Sequence, residues 1–495
     1  MKKPMFLTVA ALAAALATAQ TGPTMLQQIS SRLTPNDLKA DVSFLASDAL
    51  QGRGTPSPGL DIAAEYIAAQ FRRAGLEPAG DDGYFQTASY ANVTPNVEGM
   101  DFTVDMGGGS TVKAKSVSMA LQQAAALDLT KAAVIKVAGS DAAAVNALTA
   151  DQVRGKVLVL DFPEGSNPAT LTRQLPAMTA RLQPVLVVLL RSGGQPANTA
   201  TRMREIAAAP TVPVMVVWDE AVRTALGVGK TAPVDVLVSA HIAPPTTTPV
   251  KLHNVVGVLR GSDPVLRDTY VMVTAHYDHL GVRGTGPGDH IYNGANDDGS
   301  GTASVIEVAN ALAALPTRPK RSLVFMTFYG EELGLVGSRY YGAHPVFPLA
   351  KTVADLNLEQ LGRTDVDGGS SVNLVNVTGF DFSTLTDAVV KAGGATGLQV
   401  VKNAQLNERY FAQSDNQAIA DAGVPAHTLS VGYMFPDYHQ AGDEWPKLDY
   451  NNLAIVDRTV ALAVYQVADS TGTPQWRDMP QTQRYIKARQ DSLGK

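Results

Sequence analysis

The alternation of short apolar segments with helical patterns after residue 254 is the feature that most constrains the fold. The segment "TYVMVTA" (269–275) is a continuous apolar run, and the segment "GTASVIEVANALAAL" (301–315) has the apolar spacing of an amphipathic helix. Three further strand-like segments follow, "SLVFMTF" (322–328), "TVADLNL" (352–358) and "PAHTLSVG" (425–432). Buried strands that alternate with helices form a mostly parallel sheet covered on both faces. We therefore predict an α/β fold built on a twisted, mostly parallel sheet.

The chain of 495 residues is too long for one ordinary domain. Short β-branched runs and Ala-rich stretches alternate between about residues 96 and 248, and "IAPPTTTPVKLHN" (242–254) has the composition of a linker. We predict a smaller inserted domain, α/β or β-rich, over this region. The predicted main domain then consists of 20–95 and 249–470, with helices over 24–50 and 59–75 and a solvated C-terminal extension over 471–495.

The first 19 residues have the pattern of a secretory signal peptide. Lys2 and Lys3 precede an apolar stretch from Met5 to Ala17, and a small-x-small site ends at Ala19. The alternative is a membrane anchor, but this stretch is shorter than the roughly 20 residues that a span needs. We therefore expect cleavage about after Ala19, a secreted or periplasmic protein, and no membrane span elsewhere in the chain.

Charge and cysteine content limit the partners and the chemistry. The formal net charge is −6 and the sequence has no Lys/Arg-rich run, so we do not expect binding to nucleic acid. The chain has no cysteine, so it forms no disulfide and offers no thiolate to a metal. Any metal site must therefore use His, Asp and Glu.

Polar residues of these three types follow the predicted strands of the main domain. In sheets of this class ligands bind beyond the carboxyl ends of the strands, which meet at one edge. Taken singly, each residue has an ordinary explanation, such as a helix cap, a strand-end pair or an ion pair between Glu359 and Arg363. Together they place too much negative charge at one edge without a cation. The residues at these strand ends and at the helix entry are His276, Asp278, Asp297, Asp298, Glu331, Glu332, Glu359 and His439.

The charge balance favours two metal ions. Three carboxylates with two imidazoles overcharge one divalent ion, whereas two divalent ions and a bridging hydroxide give neutrality, which is a known hydrolytic arrangement. Zinc is the metal that we expect, and cobalt or manganese can substitute. Because Glu331 and Glu332 are adjacent, one can bind metal while the other moves a proton. Asp278 lies on the same side of the extended chain as His276 and can accept its second ring N–H.

The motifs "TAHYDHLG", "NGANDDGSG", "YGEELGLVGS", "LNLEQLGR" and "DYHQAGDE", in this order, resemble those of the secreted di-zinc aminopeptidases of metallopeptidase family 28. The lead-in "SFLASDALQGRGTPSPG" resembles that family too, and segment 96–248 is similar to its inserted protease-associated domain. The resemblance implies a zinc-aminopeptidase-type fold, also described as phosphorylase/hydrolase-like. It also implies hydrolysis of peptides with a free N-terminus by a metal-bridging hydroxide and a glutamate general base.

The resemblance also implies a role for each site residue. His276 and Glu359 would bind one zinc, Glu332 and His439 the other, and Asp297 would bridge the two ions. Glu331 would be the general base and acid, Asp278 would support His276, and Tyr438 would hydrogen-bond the tetrahedral intermediate. The family often has aspartate at the position of Glu359, so the longer side chain affects the expected metal spacing.

Two other classes of function compete with this interpretation. A carboxypeptidase or a glutaminyl cyclase of the same fold would need a basic pocket or a single zinc, and Arg339, Arg363 and Arg409 are the candidates for the pocket. A catalytically silent binding ectodomain would lack metal ligands. We expect His279 and His290 to flank a loop near the site, and Asp415 to orient substrate or to cap a helix. The oligomeric state is not predicted.

Overall fold

The computed structural model describes residues 23–119, 126–139, 141–166, 169–192, 200–206, 212–227, 232–366 and 369–494. The predicted signal peptide, residues 1–19, lies outside the described residues. The chain divides into two compact units, the first made of Met1–Thr87 and His253–Lys495, the second of Ala88–Leu252. The predicted inserted segment 96–248 lies within the second unit.

The helices have the following bounds in chain order: α1 Met25–Ser30, α2 Pro35–Leu45, α3 Pro58–Ala74, α4 Ala142–Asn146, α5 Ala150–Val153, α6 Ala169–Leu182, α7 Glu220–Ala225, α8 Gly301–Ala313, α9 Val336–Ala343, α10 Leu385–Thr396, α11 Ala404–Arg409, α12 Asn416–Asp421, α13 Tyr450–Asp469 and α14 Gln483–Ser492. None of these described helices is long and apolar enough to cross a membrane.

The strands, also in chain order, are β1 Glu77–Pro78, β2 Phe85–Thr94, β3 Asp101–Asp105, β4 Thr111–Lys113, β5 Val117–Met119, β6 Leu127–Ala138, β7 Val157–Phe162, β8 Leu186–Arg191, β9 Arg202–Glu205, β10 Val214–Trp218, β11 Ala232–Ile242, β12 Thr246–Leu259, β13 Tyr270–His276, β14 Gly281–Val282, β15 Ile291–Tyr292, β16 Ser322–Phe328, β17 Thr352–Leu358, β18 Asp365–Val366, β19 Gly369–Ser370, β20 Leu374–Val377, β21 Gln399–Val401 and β22 Ala426–Ser430.

The sheet of the first unit runs in the order β21–β20–β22–β17–β13–β16–β12. Its central strands β22, β17, β13 and β16 are parallel to one another, whereas β20 pairs antiparallel with β22 and β12 pairs antiparallel with β16. On one face, Met272 and Val324 pack with Tyr341 of α9 and Ile419 of α12. The helices α8 and α13 contact β13 as well. The predicted α/β class with a mostly parallel sheet is therefore confirmed.

The sheet of the second unit runs in the order β4–β3–β11–β6–β7–β8–β10–β5. Strands β6, β7, β8 and β10 are parallel to one another, while the outer strands pair antiparallel. Two apolar clusters cover its faces. One contains Val159 and Val188, and the other contains Leu160 and Leu189, as the alternation of side chains along each strand requires.

Three local predictions differ from the structure. The segment 24–50 holds two helices, α1 and α2, because Thr24 and Thr34 each cap the start of a new helix. The Pro/Thr segment 242–254 is largely part of β12, which begins at Thr246 and contains Pro249, whereas Pro244 and Pro245 precede the strand. The segment 471–495 does not extend into solvent: Tyr485 of α14 is buried in the core of the first unit, and the Trp476 ring N–H donates to the Gly423 carbonyl.

Candidate metal centre

The carboxyl ends of the parallel strands in the first unit present the polar residues that the sequence singled out. Strand β13 ends at His276, and β16 ends three residues before Glu331 and Glu332, which form one turn of 3-10 helix. Glu359 directly follows β17, and its backbone N–H donates to Leu429 of β22. Since these strands are parallel and neighbouring, their ends meet at one edge and bring the side chains together.

Asp297 lies at the centre of this group. Its Oδ1 is 3.4 Å from His276 Nε2, and its Oδ2 is 3.2 Å from His439 Nε2. His439 Nε2 is also 3.3 Å from Glu332 Oε1. Potential ligand atoms of His276, Asp297 and Glu359 all lie within 4.8 Å of one another. Asp297 is thus positioned to be shared between two groups of donors.

His279 belongs to the second group, although the sequence analysis placed it only in a nearby loop. Its Nδ1 is 2.9 Å from Glu332 Oε1, and His279, Asp297 and Glu332 form a second set of donors within 4.8 Å. The ring is buried against Gly294, where a Cβ would lie 2.4 Å from the imidazole. The spacing of His276, Asp278 and His279 in "HYDH" was the available signal, but it did not show which histidine turns toward Glu332.

Several buried polar atoms of this cluster have no hydrogen-bond partner among the described residues. They are His279 Nε2 and Glu359 Oε2, and two more, His276 Nε2 and Glu332 Oε1, contact only charged groups of the cluster itself, Asp297 Oδ1 at 3.4 Å and His279 Nδ1 at 2.9 Å. Buried polar atoms are nearly always hydrogen-bonded, so a group of them that converges requires a ligand. The donors are imidazole nitrogens and carboxylate oxygens, which is the donor set that zinc and similar divalent ions accept. The residues therefore fit the divalent metal ions that the sequence predicts.

The pKa shifts follow from this excess of negative charge. Burial, with a smaller contribution from the nearby Asp297, raises the pKa of Glu359 to about 7, although His276 acts in the opposite direction. Burial also raises the pKa of Glu331 well above its ordinary value, with Glu359 adding to the shift. For Asp297, contacts with His276 and His439 outweigh burial and hold its pKa well below the ordinary value. Without a cation, the cluster thus retains protons on some of its carboxyl groups.

The loop that carries Asp297 is fixed by backbone hydrogen bonds. The Asp443 carboxylate accepts from the backbone N–H groups of Asn296 and Asp297 at 3.0 Å. Asp298 Oδ1 accepts from the backbone N–H groups of Gly301, the first residue of α8, and of Gln360. These bonds leave the Asp297 carboxylate free to face His276 and His439.

Asp278 acts differently from the predicted contact. The second ring nitrogen of His276, Nδ1, lies 3.2 Å from the backbone carbonyl of Asp278, while the Asp278 carboxylate is 3.6 Å away. That carboxylate instead accepts from the Glu331 backbone N–H at 3.0 Å and from the Thr55 hydroxyl at 3.1 Å. Asp278 therefore positions both His276, through its backbone, and Glu331, through its side chain.

Arg53 is a buried cation beside the site that the sequence analysis did not single out. Its guanidinium is fully buried and donates to the carbonyls of Leu45, Tyr277, Asn293 and Gly294. It thereby joins the segment before Asp278 to the loop before Asp297. Arg53 belongs to the segment "LQGRG" of the lead-in motif. Glycine is required there at position 52, because Gly52 has φ +66° and a Cβ would lie 2.2 Å from the Tyr292 carbonyl.

Three other predicted residues have defined surroundings. Tyr438 stacks on His439 with ring centroids 4.0 Å apart, and it lines a cavity next to Glu359. Asp415 is fully buried and does not cap α12, so the capping alternative is wrong. Arg363 does not pair with Glu359, because its guanidinium donates to Asp365 and Asp437.

Comparisons with known proteins show which family model and which proteins this chain resembles. Residues 254–464 match the family model described as "Peptidase family M28". A probable zinc metalloprotease of Leptosphaeria maculans is 36% identical over 281 residues, which cover 48% of this chain and 63% of that protein. The aminopeptidase YwaD of Bacillus subtilis is 25% identical over 228 residues, covering 45% of this chain and 46% of that protein. The chain thus spans about half the length of the curated relatives that it matches.

A solved structure extends the likeness in fold over most of the chain. An aminopeptidase from Aneurinibacillus sp. strain AM-1 superposes with a TM-score of 0.53 at 19% identity. The match covers 92% of this chain and 98% of that one. At this identity the likeness concerns the fold.

Proposed function

Because the chain belongs to metallopeptidase family 28, we propose that it is a zinc-dependent exopeptidase that removes N-terminal residues from peptides. The observation that carries the proposal is the position of Asp297 between two sets of buried donors whose facing atoms have no hydrogen-bond partner. The relatives named as zinc metalloprotease and aminopeptidase support the choice of metal and of reaction.

The donor sets support two zinc ions per chain, with cobalt or manganese able to substitute. His276 and Glu359 would hold one ion, Glu332 and His439 the other, and Asp297 would be shared. Divalent ions in such sites polarise the scissile carbonyl and lower the pKa of water, so that hydroxide is available as the nucleophile at neutral pH. His279, with Nδ1 2.9 Å from Glu332 Oε1, fixes the orientation of that carboxylate.

Glu331 moves the proton in this proposal. Its backbone is held by the Asp278 carboxylate, and its side chain stays next to Glu332 and Glu359 without being part of either donor set. It takes a proton from the attacking water and returns that proton to the leaving amine nitrogen. Tyr438, which stacks on His439, would donate a hydrogen bond to the oxygen of the former carbonyl.

The remaining features of the proposal come from the sequence. The N-terminal pattern supports secretion or a periplasmic location, with cleavage about after Ala19. The second unit, Ala88–Leu252, would act as a protease-associated-like module that restricts substrates. The substrates would be peptides with a free N-terminus.

One assay separates this function from its competitors. The full-length protein is loaded with zinc and its metal content is measured. Hydrolysis is then compared, with and without chelator, for aminoacyl chromogenic substrates and for chromogenic peptides whose C-terminus is either free or blocked. We expect about two zinc ions per chain and chelator-sensitive hydrolysis of aminoacyl substrates. One ion per chain with cyclase activity, release of C-terminal residues only, or no metal and no hydrolysis would each contradict the proposal.

A further inference from the structure

The segment Gln51–Thr55, with the sequence QGRGT, contacts the metal centre although none of its residues belongs to either donor set. In this QGRGT segment, Gln51 and Arg53 have φ angles of +49° and +48°, a left-handed conformation that is strained for residues with a Cβ. Such strain persists only where the surrounding contacts enforce it, and it is common near functional sites. The contacts of the segment therefore hold its conformation, and they lead to the metal centre.

The Arg53 guanidinium binds the two parts of the chain that carry the predicted ligands of the first zinc ion. Its Nε donates at 2.7 Å to the carbonyl of Tyr277, the residue after His276. Its Nη1 and Nη2 donate at 2.7 and 2.9 Å to the carbonyls of Asn293 and Gly294, in the loop that carries the predicted bridging carboxylate. Because a guanidinium is planar and rigid, these bonds fix the separation of the two parts. The position of one ligand relative to the other therefore depends on Arg53.

A lysine cannot replace these contacts. Arg53 is fully buried, and its Nη1 also donates to the carbonyl of Leu45, the last residue of α2. The guanidinium thus binds backbone carbonyls in three separate parts of the chain. An ammonium group keeps the positive charge, but it carries its donors on a single nitrogen and cannot span the same carbonyls. Exchange for lysine therefore separates the charge of Arg53 from the geometry that it imposes.

Thr55 acts on the turn that carries Glu331. Its hydroxyl donates to Asp278 Oδ2 at 3.1 Å, and Asp278 Oδ1 accepts from the Glu331 backbone N–H at 3.0 Å. One oxygen of this carboxylate is thus held by the QGRGT segment, while the other holds Glu331. The ring of His276 faces the backbone carbonyl of Asp278, at 3.2 Å from Nδ1. Loss of the Thr55 hydroxyl should therefore loosen Glu331 and leave the metal ligands in place.

We propose that the QGRGT segment is a functional part of the metal centre, in which Arg53 positions the metal ligands and Thr55 positions Glu331. Both are positioning residues, because each acts through groups that it holds. The inference rests on the proposed function for the metal and for the role of Glu331. The two residues act on different steps: Arg53 on metal binding, and Thr55 on the proton transfer that follows.

The first test compares Arg53→Lys with the wild type by metal binding alone. The full-length protein is freed of metal, and its affinity for Co²⁺ is measured by competition with a chelator of known affinity. We expect the Kd of Arg53→Lys for Co²⁺ to rise at least about tenfold, the usual effect of changing a residue that orients metal ligands. The visible absorption spectrum of the bound cobalt should change as well, because it reports the arrangement of the ligands.

Arg321→Lys is the matched control for this test. Arg321 is also buried, at 2% exposure, and it donates to the Thr269 hydroxyl and to the carbonyls of Thr471 and Gly472. It directly precedes β16, and Thr269 directly precedes β13, so this cluster lies at the opposite ends of the strands from the metal centre. The variant should bind Co²⁺ with the Kd and the spectrum of the wild type, even where its melting temperature falls as far as that of Arg53→Lys.

The second test measures the turnover of Thr55→Val at saturating zinc. We expect kcat for an aminoacyl p-nitroanilide to fall about tenfold while KM stays within about twofold, because Glu331 acts in the chemical step. The Kd for Co²⁺ should equal that of the wild type. Thr386→Val is the control, because it also removes a buried hydroxyl but lies in α10, and it should leave kcat, KM and the Kd for Co²⁺ unchanged.

The two tests can fail separately. Unchanged Co²⁺ affinity and spectrum in Arg53→Lys, or an equal loss of affinity in Arg321→Lys, overturns the role of Arg53. If Arg53→Lys does not fold, Thr55→Val decides: an unchanged kcat, or a lower kcat with weaker Co²⁺ binding, overturns the proposal. If the wild type binds metal but hydrolyses no aminoacyl substrate, the aminopeptidase function fails, and the cobalt measurements still decide the role of Arg53.

Discussion

Both units of this protein bury charged residues at the carboxyl ends of parallel strands, but they balance the charge differently. In the first unit, the rim cluster of His276, Asp297, Glu331, Glu332, Glu359 and His439 leaves several atoms without partners. In the second unit, the buried triad of Lys136, Asp161 and Arg223 is closed upon itself. Asp161 lies 3.3 Å from Lys136 Nζ and accepts from Arg223, whose other amino group donates to the Phe162 carbonyl at 3.1 Å.

The comparison separates a structural ion cluster from a binding site. In the triad the one carboxylate contacts both cations, Lys136 also donates to the Gly227 carbonyl, and Arg223 Nε is the one nitrogen of the triad without a hydrogen-bond partner. The rim cluster has an excess of carboxylates, and its facing atoms converge on the same small region. The same edge of the same type of sheet can therefore be either closed or open, and the pairing of the buried atoms distinguishes the two.

The largest effect is expected from Glu331→Gln. The change keeps the shape of the side chain and both sets of metal donors but removes the group that moves the proton. We expect kcat to fall by about 10²–10⁴-fold, which is the usual contribution of general acid–base catalysis. Metal content by atomic absorption should stay at the wild-type value. A variant that retains near-wild-type turnover would show that Glu331 is not the proton carrier.

Asp161→Asn tests the closed triad of the second unit. The change leaves Lys136 and Arg223 buried beside each other without a counter-charge. We expect the free energy of unfolding to fall by about 3–5 kcal/mol, the usual cost of breaking a buried ion pair. Denaturant unfolding followed by circular dichroism measures this loss. Zinc content should not change, and an unchanged unfolding midpoint would contradict the structural role of the triad.

Metal removal tests the rim cluster by the same measurement, the free energy of unfolding. Chelation should lower the free energy of unfolding by about 3 kcal/mol when the free metal was about 100-fold above its Kd. In the chelated protein, Glu359→Gln should leave the melting temperature unchanged or raise it, because it removes an uncompensated buried charge. A strong loss of stability from Glu359→Gln without metal would mean that the rim cluster is closed by contacts within the protein.

The smallest effect is expected at two buried carboxyl groups in the core of the first unit, those of Asp41 and Glu307. Burial raises the pKa of Asp41 to about 6 and that of Glu307 to about 7; Asp41 adds to the upward shift of Glu307, whereas the hydrogen bond with Glu307 reduces that of Asp41. The Tyr66 hydroxyl donates to Asp41 at 2.6 Å. The folded state holds these protons more tightly than the unfolded state does. The pair therefore does not reduce the free energy of unfolding below about pH 4, and it reduces that free energy as the pH rises toward 7.

Glu307→Gln should therefore have a pH-dependent effect. We expect the melting temperature of the variant minus that of the wild type to be larger at pH 8 than at pH 4.5. The change corresponds to on the order of 2 kcal/mol in the free energy of unfolding. Differential scanning calorimetry at both pH values measures the difference. A difference that is constant with pH would show that Glu307 does not change its protonation in the folded protein.

Much of the architecture of the first unit follows from local sequence patterns. Strand β17 has the bounds that its apolar pattern predicts, and α8 begins at the Gly-Ser start of the predicted helix. The C-terminal segment was misjudged because Trp476 and Tyr485 are separated by charged residues, and only the packing of α14 shows that they enter the core. The linker over 242–254 was misjudged because β12 begins inside it, at Thr246, and continues into the residues that pair with β16 from Val255 onward.

The sequence by itself determined the residue types of the site, because the carboxyl ends of neighbouring parallel strands meet at one edge, and in this chain His, Asp and Glu follow those strands. Only the tertiary structure decided how those residues pair. His279 turns toward Glu332, the Asp278 carboxylate holds the Glu331 backbone, and Arg53 joins two loops from more than 220 positions away. The reason is physical: strand periodicity is local and visible in the sequence, whereas hydrogen bonds between loops depend on distances that only the packed fold creates.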